Sequence, residues 1–383
     1  MGKGRPGRDG KPGGALSELH PVELLSQTLI GLLARNAFDP AEVDDLIIGC
    51  VSQAAEQAGP IGRYAWLGAG LPERVPATTI DRRCGSGQQA IDFAAMGIMT
   101  GSYDIVIAGG VESMSRVPMM SARQGRDPAG QGVQHRYSPG LVPQGVSSEL
   151  ISKQWGLTRE QLDAFAARSH HTAANADLAA EIVPISVPGE TRRVDRDETI
   201  RAETTVEGLA GLRPVFGTEE YRERFPDVTW QTTAGNSSQI TDGASLILLM
   251  SERRAVGLGL RPRARIHAMA VAADDPIMML TAPIPATEKV LAGTKMTIDD
   301  FDHIEVNEAF ASVPLAWCTH FGIESETVNP RGGAIALGHP LGASGARLMT
   351  TMLNGLEERG GRWGLQTMCE AGGMANATII ERL

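Results

Sequence analysis

The chain has 383 residues, 42% of them hydrophobic and 21% charged, with a formal net charge of -10. A length of that order fits two or three domains with ample buried core, and the composition excludes a largely disordered chain. The acidic balance without a concentrated basic stripe argues against nucleic acid as a partner. No apolar run reaches the length of a membrane-crossing helix. Glycine is abundant, at 45 residues, while aromatic residues make up only 4%; this suits tight turns and close backbone approaches in a layered α/β protein.

The first fourteen residues, MGKGRPGRDGKPGG, read as loop or tail. They contain a literal GxGxxG (Gly2, Gly4, Gly7), but no strand precedes it, so it is no dinucleotide site. The stretch lacks the apolar segment of a secretory signal, and a cytoplasmic location is expected. A helix is predicted from Ser17, its expected N-cap, because Leu19, Val22, Leu25, Leu29 and Leu32 recur at three- and four-residue spacing. Residues 44–51 (DDLIIGCV) read as a buried strand. Residues 77–87 (ATTIDRRCGSG) read as a strand ending in a tight turn, with a helix over 88–101 and another strand over 104–110. That alternation predicts parallel or mixed sheet covered by helices.

From about Ser113 to Thr241 the pattern changes to Arg-, Gln-, Gly- and Pro-rich sequence with one clear helix, Thr158 to Leu178, and reads as an excursion between two halves. The α/β rhythm then resumes through ARIHAMAV, HIEVNEAF, a glycine-rich turn at 332–345 that cannot be regular helix, the helix GARLMTTMLNGLEE, LQTMCEAGG and NATIIERL. Each half holds a strand, a glycine-rich turn with a reactive side chain and a helix rich in small residues, so the two parts look like one pattern used twice, on a weak similarity that leaves duplication open.

Four cysteines (Cys50, Cys84, Cys318, Cys369) are scattered, with no metal-ligand spacing and no disulfide framework. Cys84 stands at a strand-turn-helix junction, where a helix N-terminus, Arg82 and Arg83 would favour a thiolate. The plain alternative is a small buried hydrophobe. His339, on the tightly turned GGAIALGHPLGASG segment, is the candidate partner of a nucleophilic thiol, against the alternative of a structural histidine. The remaining histidines, including His170 and His171 on a predicted helix surface, carry no assigned role. Asn307, at the end of the strand HIEV, and Cys369, at a strand-to-glycine turn, complete the set.

Together the blocks CGSGQQA, AGGVESMSRVPM, TTAGNSSQITDGAS, VNEAFAS, GGAIALGHPLGASGARL and MCEAGG resemble the thiolase family, in order and over nearly the whole chain from about Lys11. The resemblance implies two duplicated βαβαβαββ halves in a five-layered α-β-α-β-α arrangement with an inserted loop domain. It divides the chain into an N-terminal half at 1–113, a loop domain at 114–241, the end of the first half at 242–257 and a C-terminal half at 258–383. It further implies a homodimer or tetramer, coenzyme A and acyl-CoA as the molecules bound, no permanently bound cofactor and no metal.

Carried over by position, Cys84 would be the nucleophile and His339 its base and an oxyanion donor. Asn307 would hold a water in that first oxyanion hole, and Cys369 would be the second acid and base. The backbone N–H groups of Cys84 and Ala371 would make the second oxyanion hole, while Arg201, Phe216, Ala234 and Ser238 would contact coenzyme A. The expected reaction is thiolytic cleavage of 3-ketoacyl-CoA; the competing class is a catalytically silent acyl-CoA-binding subunit of the same fold. Five departures stand out. The family's opening buried strand is replaced by MGKGRPGRD, which would leave neighbouring strands unpaired; either the start is misassigned or the protein is unusual and less stable. Ala371 replaces a glycine, Glu370 adds charge beside Cys369, Asp81 stands where asparagine is common before the nucleophile, and Gln144 stands where a methionine usually bounds the acyl pocket.

Overall fold

The computed structural model describes residues 1–7, 13–191 and 193–383. Residues 8–12, part of the expected N-terminal loop and of the start of the family resemblance, and residue 192 lie outside the described residues. Two mixed sheets organise the chain. The first contains β1 (Gly2–Lys3), β2 (Asp45–Gly49), β3 (Ala77–Ile80), β4 (Ile105–Ser113) and β5 (Thr241–Met250), in the order β1-β5-β4-β2-β3. The second contains β6 (Ala264–Ala273), β7 (His303–Val306), β8 (Trp363–Glu370) and β9 (Met374–Arg382), in the order β6-β9-β8-β7.

Helices α1 (Pro21–Ala34), α2 (Ile61–Gly68) and α3 (Ser86–Met99) belong to the first half; α4 (Gly130–Arg136), α5 (Gln144–Gln154), α6 (Arg159–Asn175), α7 (Val206–Ala210) and α8 (Glu219–Arg224) fill the excursion between β4 and β5. After β5 come α9 (Glu252–Gly257), α10 (Pro283–Thr294), α11 (Ser312–Phe321), the one-turn α12 (Ala334–Leu337) and α13 (Ser344–Arg359). Two local expectations are corrected. The N-cap of α1 is His20, whose Nδ1 accepts from Val22 N at 3.2 Å, because Pro21 at the first helical position fixes the start. The glycine-rich 332–345 segment also holds α12, since four consecutive apolar residues with good helix-formers among them can close a single turn there.

The layering follows from which faces are apolar. Along β4, Ile105, Ile107 and Val111 face one cluster, with Leu25, Leu29 and Trp66 beneath α1 and α2. Val106 and Ala108 point the other way, onto Ile91 and Ala94 of α3 and Met349 and Met352 of α13. A strand buried on both faces must be apolar at every position, which is why residues 105–111 read as an unbroken run. Helices α3 and α13 lie between the sheets, and α10 covers the far face of the second sheet. The order is thus helices, sheet, helices, sheet, helices.

The two sheets repeat one plan. In the first, β2 runs parallel to β3 and β4, and β5 is antiparallel to β4 and β1. In the second, β7 runs parallel to β8, and β9 is antiparallel to β8 and β6. A single parallel bridge from Ile304 to Val328 stands where β3 stands in the first sheet. By this correspondence β1 matches the last residues of β6, which has 10 residues against the 2 of β1. Gly2 pairs Asp242 and Lys3 pairs Thr241, so from Gly243 to Met250 the outer edge of β5 has no strand partner among the described residues. Beside it runs a groove of about 1070 Å³ lined by β5, β6 and apolar side chains of α1 and α13 such as Leu24, Leu32, Met349 and Leu353. An edge of this kind is open to pairing with a further strand.

Where the halves meet, backbone approaches backbone. A Cβ on Gly110 of β4 would stand 1.9 Å from the Gly342 oxygen and 2.6 Å from the Gly49 oxygen. Gly342 N also donates to Glu112 Oε2 at 3.0 Å; the buried Glu112 carboxylate further accepts from Val51 N, Ser52 N and Gln57 Nε2. Gly110→Ala is expected to cost roughly 1–3 kcal/mol of stability, read as a lower denaturation midpoint. An unchanged midpoint would show that this junction can part without strain.

Candidate functional site

The nucleophile candidate is presented by a short, heavily bonded turn. After β3, Asp81 Oδ1 accepts from Arg83 N at 2.7 Å, and Ser86 Oγ accepts from Arg82 N at 2.8 Å while donating to Arg83 O at 2.6 Å. Arg83 takes a left-handed φ of 50°. The turn leaves Cys84 immediately before Gly85, the N-cap of α3. Its side chain is buried against Met114, Leu341, Leu348 and Met368. Burial pushes the thiol up, Cys369 and Glu370 push the same way, and a hydrogen bond with the Gln144 side chain opposes them. The expectation of a lowered thiol pKa is therefore reversed. Desolvation outweighs the helix end, and Arg83 is neutralised locally by Asp81 at 3.3 Å.

Cys369 comes from the other half, next to last in β8, where it pairs with Ala375 of β9. It is fully buried, and burial pushes its thiol up to about 12, opposed first by a hydrogen bond from Asn307. Asn307 follows β7 with its N–H on Thr367 O at 3.1 Å, and its Nδ2 reaches Cys369 Sγ at 3.7 Å. The Asn307 Oδ1 is buried and unpartnered. Glu308, beside it, is occupied structurally: it accepts from Ser169 Oγ, Asn329 Nδ2 and Ile335 N. Ala371 begins the turn between β8 and β9 and is half-buried.

His339 lies between α12 and α13, in the same turn as Leu341, which packs on Cys84. Its Nδ1 is 2.6 Å from Ser344 Oγ, and Ser344 Oγ donates its single proton to Pro340 O at 2.9 Å. The network therefore assigns the ring proton to Nδ1, donating to Ser344. Nε2 is left as a buried, unpartnered lone pair. Burial, with Arg347 adding to it, pulls the imidazole down to about 3, so the ring is neutral at any working pH. A neutral histidine with one fixed N–H and one free lone pair is a base awaiting a proton. The two thiols, both protonated at rest, are the donors this site offers.

The four positions aligned with coenzyme A contact fall in the excursion. Ser238 N donates to Ala309 O at 2.9 Å, two residues beyond Asn307. Arg201 Nη2 donates to Gln239 Oε1 at 3.2 Å, and both Arg201 and Ala234 are exposed. Phe216 packs edge-on to Phe310 at 5.8 Å and against Gly145. His170 departs from the predicted helix surface: it is buried, and its Nδ1 accepts from Arg201 N at 3.1 Å. The other seven buried residues of α6 (Leu162, Asp163, Phe165, Ala166, Ala167, Ser169, Ala173) carry His170 with them. His171 is exposed.

Cys50 and Cys318 are buried and free; Cys50 lies in the first-half cluster beneath α1 and α2, and Cys318 on α11 in the large second-half cluster that also contains Cys369. Among the described residues no group of histidine, cysteine and acidic side chains could hold a metal. Sequence reasoning missed Ser344 as the partner of His339, although an i to i+5 pairing across a glycine-proline turn was its available signal. It also missed Glu112, whose role depends on an approach from 230 residues away.

The thiolase N-terminal domain family matches residues 8–253, and the thiolase C-terminal domain family matches residues 260–382. A steroid 3-ketoacyl-CoA thiolase from Mycobacterium tuberculosis (strain ATCC 25618 / H37Rv) is 48% identical over 386 residues, covering 98% of this chain and 91% of that one. A 3-ketoacyl-CoA thiolase from Vibrio parahaemolyticus serotype O3:K6 (strain RIMD 2210633) is 43% identical over 381 residues, covering 97% and 94%. Among solved structures, the crystal structure of the Bacillus anthracis acetyl-CoA acetyltransferase matches with a TM-score of 0.85 at 37% identity, covering 97% of this chain and 95% of that one.

Proposed function

The chain belongs to the thiolase family, and from that premise we propose that it cleaves 3-ketoacyl-CoA with coenzyme A, giving acetyl-CoA and a shortened acyl-CoA, through an acyl-Cys84 intermediate. The observation that carries this reading is the meeting of two buried thiols, one from each half, with an unprotonated imidazole nitrogen on the adjoining turn.

In the first half-reaction His339 Nε2 takes the Cys84 proton as the sulfur attacks the 3-keto carbon. Collapse of the adduct breaks the bond between C2 and C3, and the departing acetyl-CoA carbanion takes the proton of Cys369. The acyl group stays on Cys84 as a thioester. In the second, the Cys369 thiolate takes the proton of incoming coenzyme A, whose sulfur attacks the acyl carbon. Cys84 leaves as thiolate and recovers its proton from His339. Each thiol proton removed is thus returned, and the reverse sequence is the Claisen condensation. Asn307 steadies the Cys369 sulfur, and the N–H groups of Cys84 and Ala371 face the second oxyanion, each donor contributing roughly 3 kcal/mol. Gln144, bonded to the Cys84 sulfur, bounds the acyl pocket with an amide.

Arg201, Phe216, Ala234 and Ser238 line the approach of coenzyme A in this reading. A homodimer or tetramer is supported by the free outer edge of β3 and by exposed Tyr64 and Leu67 on α2 and Phe93 and Met96 on α3. A reducing compartment such as the cytoplasm suits a mechanism that needs free thiols; no helix among the described residues is long and apolar enough to cross a membrane.

The test is coenzyme A-dependent loss of the magnesium-enolate absorbance of 3-ketoacyl-CoA, comparing acetoacetyl-CoA with a longer and a ring-bearing substrate. Turnover of any of them supports the reading, and the preferred one names the acyl class. Absence of turnover from folded protein that still binds acyl-CoA would favour a binding subunit.

A further inference from the structure

Glu370 is a carboxyl group that the reaction as written does not use, in a place where a charge would matter. It ends β8 immediately after Cys369, and successive strand residues point to opposite faces. Cys369 therefore faces Asn307 and the second-half core, while Glu370 points across the junction at α3. A Cβ on Gly85 would stand 2.0 Å from Glu370 Oε1, so the carboxyl is pressed against the residue that follows Cys84. Glu370 is 0% exposed, and neither of its oxygens has a hydrogen-bond partner.

The surroundings are short of donors. From β9, Asn376 spends its amide N–H on Gly85 O at 3.2 Å, and its own Oδ1 is unpartnered. From α3, the buried Asp92 adds a second carboxyl, bonded through Oδ1 to Thr378 and unpartnered at Oδ2. From the turn before α3, Asp81 adds negative charge and Arg82 is the cation that acts on Glu370, its Nε unpartnered. Burial pushes the Glu370 carboxyl up to about 8, with Arg82 opposing and Asp92 and Asp81 reinforcing. An ionised Glu370 in turn raises the thiols of both Cys84 and Cys369.

We propose that Glu370 is a positioning residue for the thiol chemistry: it works as a neutral carboxylic acid wedged behind Gly85, and loss of its proton places a charge that holds back the thiolates of Cys84 and Cys369. The proposal rests on the proposed roles of those two thiols. The sign is fixed by the chemistry. Glu370 is neutral below its midpoint and negative above it, and a like charge in a dry site disfavours each thiolate that the cycle must form. Activity therefore falls on the alkaline side, where ionisation of coenzyme A alone would favour the second half-reaction.

The experiment is the pH profile of kcat/KM for one 3-ketoacyl-CoA from about pH 6.5 to about pH 9.5, in wild type and Glu370→Gln. Wild type is expected to lose activity through a midpoint near 8. In the variant that limb moves up by about one pH unit or disappears, raising the ratio of alkaline to neutral rates about tenfold. An alkaline limb at the same midpoint in both proteins would overturn the proposal. Should Glu370→Gln not fold, Asp92→Asn must move the limb to lower pH and Arg82→Gln to higher pH; no movement, or the opposite order, overturns it equally. Alkylation of Cys84 by iodoacetamide, followed by intact mass without substrate, separates the two readings. Its rise with pH must begin lower in Glu370→Gln even if no thiolysis is found, whereas thiolysis with unshifted profiles would leave the thiolase reading standing alone.

Discussion

Alanine at position 84 is expected to lower turnover by roughly 10⁴-fold or more while leaving the fold intact. The reason is local. Cys84 packs in a small cluster of Met114, Leu341, Leu348 and Met368, and the turn that presents it is held by Asp81, Arg82, Arg83 and Ser86 rather than by the sulfur. Removing one atom leaves that scaffold in place and deletes the sulfur proposed to hold the acyl chain. Intact mass after incubation with an acyl-CoA should show one added acyl group in wild type and none in Cys84→Ala. Cys369→Ala should still accept the acyl group on Cys84, but more slowly, since in the proposed mechanism that thiol returns the proton to coenzyme A when the same step runs backwards. An acyl adduct persisting in Cys84→Ala would move the nucleophile elsewhere.

His339→Ala should cost roughly 10²- to 10⁴-fold in kcat, because both thiols sit well above neutral pKa and form thiolates only when a base receives the proton. The pH profile carries a further mark of this residue. With its imidazole pulled down to about 3 by burial, His339 is unprotonated in the resting enzyme across the neutral range, so no acid limb near the ordinary histidine value of about 6.5 should appear. Ser344→Ala gives a smaller loss in kcat with little change in KM, since the ring keeps its place but loses the acceptor that fixes its proton on Nδ1. An acid limb centred near the ordinary histidine value in wild type would show that the ring is solvated during turnover.

Much of this site was legible in the sequence because its residues sit where regular elements end: Cys84, Asn307 and Cys369 follow or close apolar strands, and His339 stands in the glycine-rich turn between α12 and α13. The strands read well for the same reason: in a sheet covered on both faces, residues 105–111 have no polar choice. What the sequence could not supply was the environment. A helix N-terminus and two arginines argue for a low thiol pKa, yet the surrounding halves bury Cys84 and reverse the sign. His170 looked like surface on a polar helix, and only the packing of α6 onto α12 and the second half hides it. The start of α1 slipped because a proline at its first position decided the boundary over the better capping residue upstream.

The bare edge of β5 has a consequence for the protein as a material. From Gly243 to Met250 it offers an apolar ladder of N–H and C=O groups with no strand partner among the described residues, beside a ready-made trough, and the ten-residue β6 demonstrates what the same plan looks like when the rung is filled. Such an edge does not discriminate between donors: any extended, greasy segment of suitable length can dock there by main-chain pairing. Partly unfolded copies carry many such segments. Clumping in concentrated or warmed solutions would then start at this seam, far from the thiols, and the preparation would lose soluble protein before it lost chemistry.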